Sequence, residues 1–122
     1  MENNLNYVST RADINNSQEK TFHEITMEGL APDGGLYLPE IFPKFTDNEI
    51  KSMHNLEYSD LCVHIISKYT GICLSKDQIK NIAKDAYATF GNNDVAPLVE
   101  IGEGKHILEL FHGPTLAFKD FG

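Results

Sequence analysis

Lys119 has the least ordinary surroundings of any ionisable residue in the chain, standing between Phe118 and Phe121 just after a proline-containing turn. Apolar surroundings disfavour the ammonium form and lower a lysine's pKa. The neutral amine attacks an aldehyde carbon to form a Schiff base. A lysine snorkelling from an amphipathic helix has the same local string, so its neighbours leave both readings open. At the opposite end, Ser9, Thr10 and Arg11 set two hydroxyls beside a guanidinium, which grips phosphate or carboxylate through two parallel bonds; a structural ion pair uses the same residues. Gly102-Glu103-Gly104 is too short for a phosphate cradle at a helix start and reads as the loop of a hairpin. Cys62 and Cys73 make neither a disulfide framework nor a zinc site, and both read as buried reduced thiols. No metal site is expected.

These groups need a scaffold, and composition bounds it. The 122 residues are 41% hydrophobic and 23% charged, which fits a globular chain and excludes a disordered or collagen-like one. One domain is the prior at this length, with a core attainable without staples. The net charge of −8 and the pI near 4.9 make nucleic acid and anionic membrane poor partners. Residues 1–11 lack the basic start and apolar run of a signal peptide. No stretch reaches the roughly 18 apolar residues of a membrane span, so a cytoplasmic location is expected.

Residues 1–4 are expected to fray. Leu5 to Thr10 reads as a short strand, and Asn15 to Lys20 as a polar loop. Three strings fit the capping box, in which a hydroxyl and an acid or amide satisfy each other's backbone donors: Thr21 with Glu24, Thr46 with Glu49, and Ser75 with Gln78. The first opens a helix from Phe22 to Glu28 ended by Gly29. Residues 31–35 then form a turn, and Leu36 to Leu38 a strand closed by Pro39. The second box opens a helix to about His54. Ser59 is expected to cap the next helix, whose apolar face is Leu61, Cys62, Ile65, Ile66 and Tyr69, with Gly71 ending it. The third opens the clearest amphipathic helix, with Ile79, Ile82, Ala83, Ala86, Tyr87 and Phe90 on one face and Gly91 as its stop. After Pro97 the period changes to that of a hairpin, Leu98 to Ile101 against His106 to Leu110. The fold class is therefore α+β. The segment from Phe111 to Gly122 is apolar and stops in mid-pattern, where a chain end is usually polar. Leu116, Ala117, Phe118 and Phe121 read there as the first turn of a buried helix, which suggests a truncated chain.

The string from His112 to Gly122 resembles the pyridoxal-phosphate lysine segment of threonine synthases, in their branch with a long N-terminal region. Tyr7 to Arg11 and Gly29 to Pro39 are similar to strings near that family's start, in the same order. The C-terminal string is the most specific of the three. The resemblance implies the α+β N-terminal domain of a PLP enzyme with the tryptophan-synthase-β-like (fold type II) α/β architecture, truncated. It divides the chain into a threonine-synthase-like N-terminal domain, 1–96, and a hairpin with the incomplete start of the PLP-binding domain, 97–122. The implied reaction converts O-phospho-L-homoserine and water to L-threonine and phosphate. Lys119 aligns with the lysine that holds the cofactor and then shuttles protons. Thr115 caps the helix carrying Lys119 or turns its hydroxyl to substrate, the cap being the favoured reading. His112 is a hydrogen-bonded structural histidine or a contact to substrate phosphate or cofactor, and Arg11 is a further candidate for the substrate. Asp120 is expected to offset the positive helix start, and Asp33-Gly34-Gly35 to be a turn and no more.

Related enzymes of this fold often carry Ser two residues before the lysine and Arg two after it. Ala117 and Phe121 stand there in this chain, a departure that matches the long-N-terminal branch. No phosphate cradle and no partner for the pyridine nitrogen is legible in these residues. The chain alone is therefore expected to be inactive and to lack a specific cofactor site, with the remainder of the PLP domain as its partner and as the source of positive charge. Its apolar tail is expected to drive weak self-association or disorder. Two alternatives stay open: a threonine-synthase-like phospho-lyase, which needs the same lysine, and a non-catalytic binding or interaction module that retains the N-terminal domain.

Overall fold

The computed structural model describes residues 5–13 and 18–121. The expectations for residues 1–4, for residues 15–17 of the polar loop and for Gly122 lie outside the described residues. Strand β1, Tyr7–Ser9, pairs antiparallel with β2, Tyr37–Pro39, in the register Tyr7 to Pro39 and Ser9 to Tyr37. Lys20 adds an isolated bridge to Tyr7 on the other edge of β1. Between the strands lies α1, Phe22–Glu28. Three helices follow: α2, Asp47–Ser52, α3, Tyr58–Thr70, and α4, Lys76–Tyr87. The hairpin of β3, Leu98–Gly102, and β4, Lys105–Leu108, carries a register shift between Glu100 and Gly102. A 3-10 turn, Phe118–Phe121, comes last. Helices and antiparallel strand pairs stand apart along the chain, an α+β arrangement.

Local chemistry set the helix starts. All three capping boxes are present, with Thr21, Thr46 and Ser75 accepting from the backbone N–H of Glu24, Glu49 and Gln78. Gly29 and Gly71 close α1 and α3 at φ of 74° and 56°, a backbone that glycine adopts without strain. Two boundaries differ from the sequence pattern. Helix α3 begins at Tyr58, capped by Glu57 with no side-chain hydrogen bond, so Ser59 lies inside the helix. The ring of Tyr58 meets Tyr87 edge-on at 4.9 Å, and that burial outweighs the missing cap. Helix α4 stops at Tyr87 and not at Phe90. Beyond it Phe90 leaves the helical path and turns its ring edge-on to Tyr87, while the Gly91 N–H donates to the His112 carbonyl at 2.8 Å.

The core is small. Tyr7, Ala31, Cys62, Ile79, Ala83 and Val95 are its buried apolar residues. Tyr7 anchors β1 to the end of α3, its hydroxyl donating to the Tyr69 carbonyl at 2.6 Å and its ring lying against Phe22. Helix α3 covers only the stripe of α4 running Ile79, Ala83 and Tyr87, four residues apart. Ile82 and Ala86, expected on the same face, stay exposed, as do Ile65 and Ile66 on α3. Cys62 is buried as expected, but Cys73 is exposed, because the link between α3 and α4 runs over the surface. Both strands of the hairpin are exposed on both faces, including Leu98, Val99, Ile101, Ile107 and Leu108. The expected buried helix at the C-terminal end is the 3-10 turn instead. Leu116 has φ of 59°, a left-handed backbone from which a helix cannot start, and Leu116 and Phe118 are 74% and 67% exposed. No helix among the described residues is long and apolar enough to cross a membrane.

Lys68 ties α3 to α2 and the segment before it. Its amine meets the Glu49 carboxylate at 2.7 Å, the Lys44 carbonyl at 2.8 Å and the Phe45 ring face at 4.4 Å. The hydrogen bond from Lys68, then those from Thr46, hold the Glu49 carboxyl down at about 2. A carboxyl lowered in the folded state stabilises that state above its unfolded pKa and loses the effect as pH falls through its folded value. Melting temperature should accordingly fall as pH drops from about 4.5 to about 2. Glu49→Gln should flatten part of that slope; an unchanged slope in pH-stepped thermal melts would show that Glu49 contributes nothing to it.

Candidate functional site

The segment that carries Lys119 leaves β4 through contacts that fix its path. The Glu109 N–H donates to the Pro97 carbonyl at 2.9 Å, closing the base of the hairpin. His112 Nε2 lies 2.6 Å from the Glu109 carboxylate, its ring is packed on Phe111, and its carbonyl takes the Gly91 N–H. His112 is thus a hydrogen-bonded, half-buried residue whose other ring nitrogen, Nδ1, has no hydrogen bond among the described residues. Glu109 was not legible as its partner, although the three-residue spacing carried a hint.

After Pro114 the chain turns, the Leu116 N–H donating to the Gly113 carbonyl at 3.1 Å. Asp120 then reaches back. Its Oδ1 accepts from the Thr115 hydroxyl at 2.6 Å and its Oδ2 from the Thr115 N–H at 3.0 Å. Thr115 therefore does not cap the helix: its hydroxyl donates to a carboxylate five residues on and receives no helix N–H. Asp120 does more than offset a helix start, since both of its oxygens clasp one residue. Gly113 makes room for this. A Cβ there would overlap the carboxylate and stand 2.5 Å from the Asp120 Cβ.

Phe121 seats the end of the turn on the helices. Its ring lies 5.1 Å from Phe90, edge-on at 79°, and 6.2 Å from Tyr87. With Tyr58 against Tyr87 this makes a continuous row of four rings from α3 to the lysine turn. Burial, with Tyr87 and Cys62 close by, pushes Tyr58 up to about 12. Burial likewise raises the Cys62 thiol. Lys119 itself is exposed, with no hydrogen bond or ion pair to its side chain among the described residues. The apolar pocket expected around it is absent among those residues, because Phe118 faces solvent and Phe121 is committed to α4.

Arg11 belongs to a second cluster. The Ser9 hydroxyl donates to Asp33 Oδ1 at 2.7 Å and accepts from the Arg11 N–H, while the Gly35 N–H donates to the same carboxylate oxygen at 2.8 Å. The Ser9 and Gly35 bonds, with Arg11 nearby, hold the Asp33 carboxyl below its ordinary range. The guanidinium reaches the Asp33 carbonyl at 3.4 Å, and this is the one hydrogen bond of that side chain among the described residues. Residues 33–35 are thus more than a turn: they hold the end of β1 and the turn after it, in which Arg11 lies. The Asp-x-Gly spacing, which places a carboxylate over its own backbone, was the signal. The structure puts His112, Thr115 and Lys119 on one segment and Arg11 on another. Among the described residues no group of three or more His, Cys, Asp or Glu is placed to hold a metal ion.

The fit of Gly113 against Asp120 yields a direct expectation. Gly113→Ala should destabilise the protein by roughly 1–3 kcal/mol through overpacking, read as a lower denaturant midpoint. An unchanged midpoint would mean that the turn adjusts freely.

The chain is 39% identical to threonine synthase of Pseudomonas aeruginosa over 117 residues, which are 96% of this chain and 24% of that protein. The crystal structure of PLP-bound threonine synthase from Brucella melitensis superposes with a TM-score of 0.87 at 38% identity, over 95% of this chain and 24% of that one. Threonine synthase from yeast does so with a TM-score of 0.85 at 36% identity, over 96% and 24%. The chain spans about a quarter of the length of these relatives. A family model described as threonine synthase N terminus matches residues 6–87, and on that match the chain belongs to the threonine synthase N-terminal family.

Proposed function

We propose that this chain is the N-terminal part of a PLP-dependent carbon–oxygen lyase, threonine synthase, which converts O-phospho-L-homoserine and water to L-threonine and phosphate in threonine biosynthesis. The observation that carries the reading is the segment from His112 to Phe121: a lysine with an unpartnered amine, on a turn fixed by the contacts of its neighbours, in a chain of this family. The whole protein takes the fold type II architecture, with residues 1–96 as its N-terminal domain and 97–122 as the hairpin and start of the PLP-binding domain. The family match ending at residue 87 and the change of period after Pro97 support that division. The protein works in the cytoplasm.

An amine that no carboxylate occupies suits an aldehyde cofactor, so Lys119 is the residue that holds pyridoxal phosphate. When bound, that group supplies the electron sink for chemistry at the substrate carbons. Lys119 Nζ, once free of it, takes and returns protons at those carbons. Thr115 donates its proton to Asp120 and keeps acceptor lone pairs for the substrate. His112 keeps Nδ1, and Arg11 keeps donors suited to a phosphate or carboxylate. No glycine-rich loop opens a helix among the described residues, and Gly102-Glu103-Gly104 closes a hairpin. The cradle for the cofactor phosphate is therefore supplied by the remainder of the PLP domain.

The test is product analysis of the full-length protein with O-phospho-L-homoserine. Threonine and phosphate should appear together, and Lys119→Ala should abolish both. Phosphate without threonine would assign a phospho-lyase, and no turnover at all would favour a binding module. The 122-residue chain alone should be inactive; turnover by it would overturn the division of labour proposed here.

A further inference from the structure

The Lys119 turn is held by contacts that its neighbours make, while the Lys119 side chain has no hydrogen bond or ion pair among the described residues. Both oxygens of Asp120 are taken by the N–H and hydroxyl of Thr115. The loop they close includes Leu116 at φ of 59°. A left-handed backbone is strained for a non-glycine residue and persists only where surrounding contacts enforce it. Two contacts do so: the Asp120 clasp and the packing of its side chain over Gly113, where any Cβ would collide. The clasp also keeps the carboxylate next in sequence to Lys119 from pairing with the amine. An aspartate merely offsetting a helix start would have had at least one oxygen free.

The geometry points to Asp120 as a positioning residue for Lys119. By clasping Thr115 it fixes the backbone from which the lysine side chain departs and leaves the amine available to the cofactor aldehyde. The inference rests on the proposed role of Lys119. Asp120 touches neither cofactor nor substrate in it; it acts through Thr115 and the turn.

The experiment uses the full-length protein loaded with pyridoxal phosphate. Borohydride reduces the C=N bond to a stable secondary amine, and peptide mass analysis then reports the pyridoxyl label on Lys119 as a function of cofactor concentration. The visible absorbance of the bound cofactor gives a second readout. Asp120→Ala should weaken the cofactor dependence of labelling about tenfold, as expected for loss of a charge-assisted pair of hydrogen bonds. Thr115→Val should do the same, Thr115→Ser should restore the unsubstituted behaviour, and the double variant Asp120→Ala with Thr115→Val should be no weaker than either single one. Labelling of Lys119 in Asp120→Ala equal to that of the unsubstituted protein would overturn the proposal. If that variant fails to fold, equal labelling in Thr115→Val would overturn it instead. Absence of label from Lys119 in the unsubstituted protein would overturn the cofactor role of the lysine, and this inference with it.

Discussion

The row of rings from Tyr58 through Tyr87 and Phe90 to Phe121 is the contact on which the C-terminal third of the structure depends. Successive edge-to-face pairs of this kind contribute about 0.5–1.5 kcal/mol each beyond the area they bury. Their consequence is geometric as well. Phe121 is two residues from Lys119, so the row packs the lysine turn against the helix pair. The hairpin between them is exposed on both faces and supplies no such fixation. What holds the lysine turn against α3 and α4 is this row, with the Gly91 to His112 backbone bond beside it.

The N-terminal half is organised differently, by polar contacts at strand ends. Tyr7 plugs β1 onto α3 through its ring and hydroxyl. Glu28 at the end of α1 bonds both Lys20 and Tyr37, joining the helix to the bridge on one side and to β2 on the other. Ser9, Asp33 and Gly35 stitch the same strand pair from its far end, and Gly35 is required there because a Cβ would overlap the Ser9 hydroxyl. A chain with so few buried apolar residues relies on such contacts to choose one arrangement among several compact ones.

These two modes converge on a division of roles. Carboxylates that hold the scaffold are engaged by neighbours: Glu49 by Lys68 and Thr46, Asp33 by Ser9 and Gly35, Asp120 by Thr115. Among the described residues, Lys119, most donors of Arg11 and one nitrogen of His112 are groups that keep open capacity. A polar group whose neighbours are satisfied elsewhere is free to take a ligand without first breaking a structural bond. That contrast, more than burial, marks the candidate site in this chain.

The starts of α1, α2 and α4, the glycine stops of α1 and α3 and the antiparallel hairpin were legible in the residues, since a capping box needs only four consecutive residues and a hairpin only a local change of period. Lys119 stood out in the sequence as chemistry and family resemblance, while the apolar surroundings expected for it are not formed among the described residues. What the pattern misjudged was long-range. Helix α3 started at Tyr58 because of a ring on α4; Phe90 left α4 to reach Phe121; Cys73 stayed exposed. Asp120 turned back to Thr115 where a local reading had a helix dipole to offset, and Ser9 found Asp33 from 24 residues away. Backbone hydrogen bonding within one turn is decided by neighbours in sequence. Which aromatic ring, carboxylate or hydroxyl a side chain meets is decided by the packing of segments that the sequence does not place side by side. The sequence by itself thus determined most of the elements and pointed to the candidate amine, and only the tertiary structure decided what holds its turn in place.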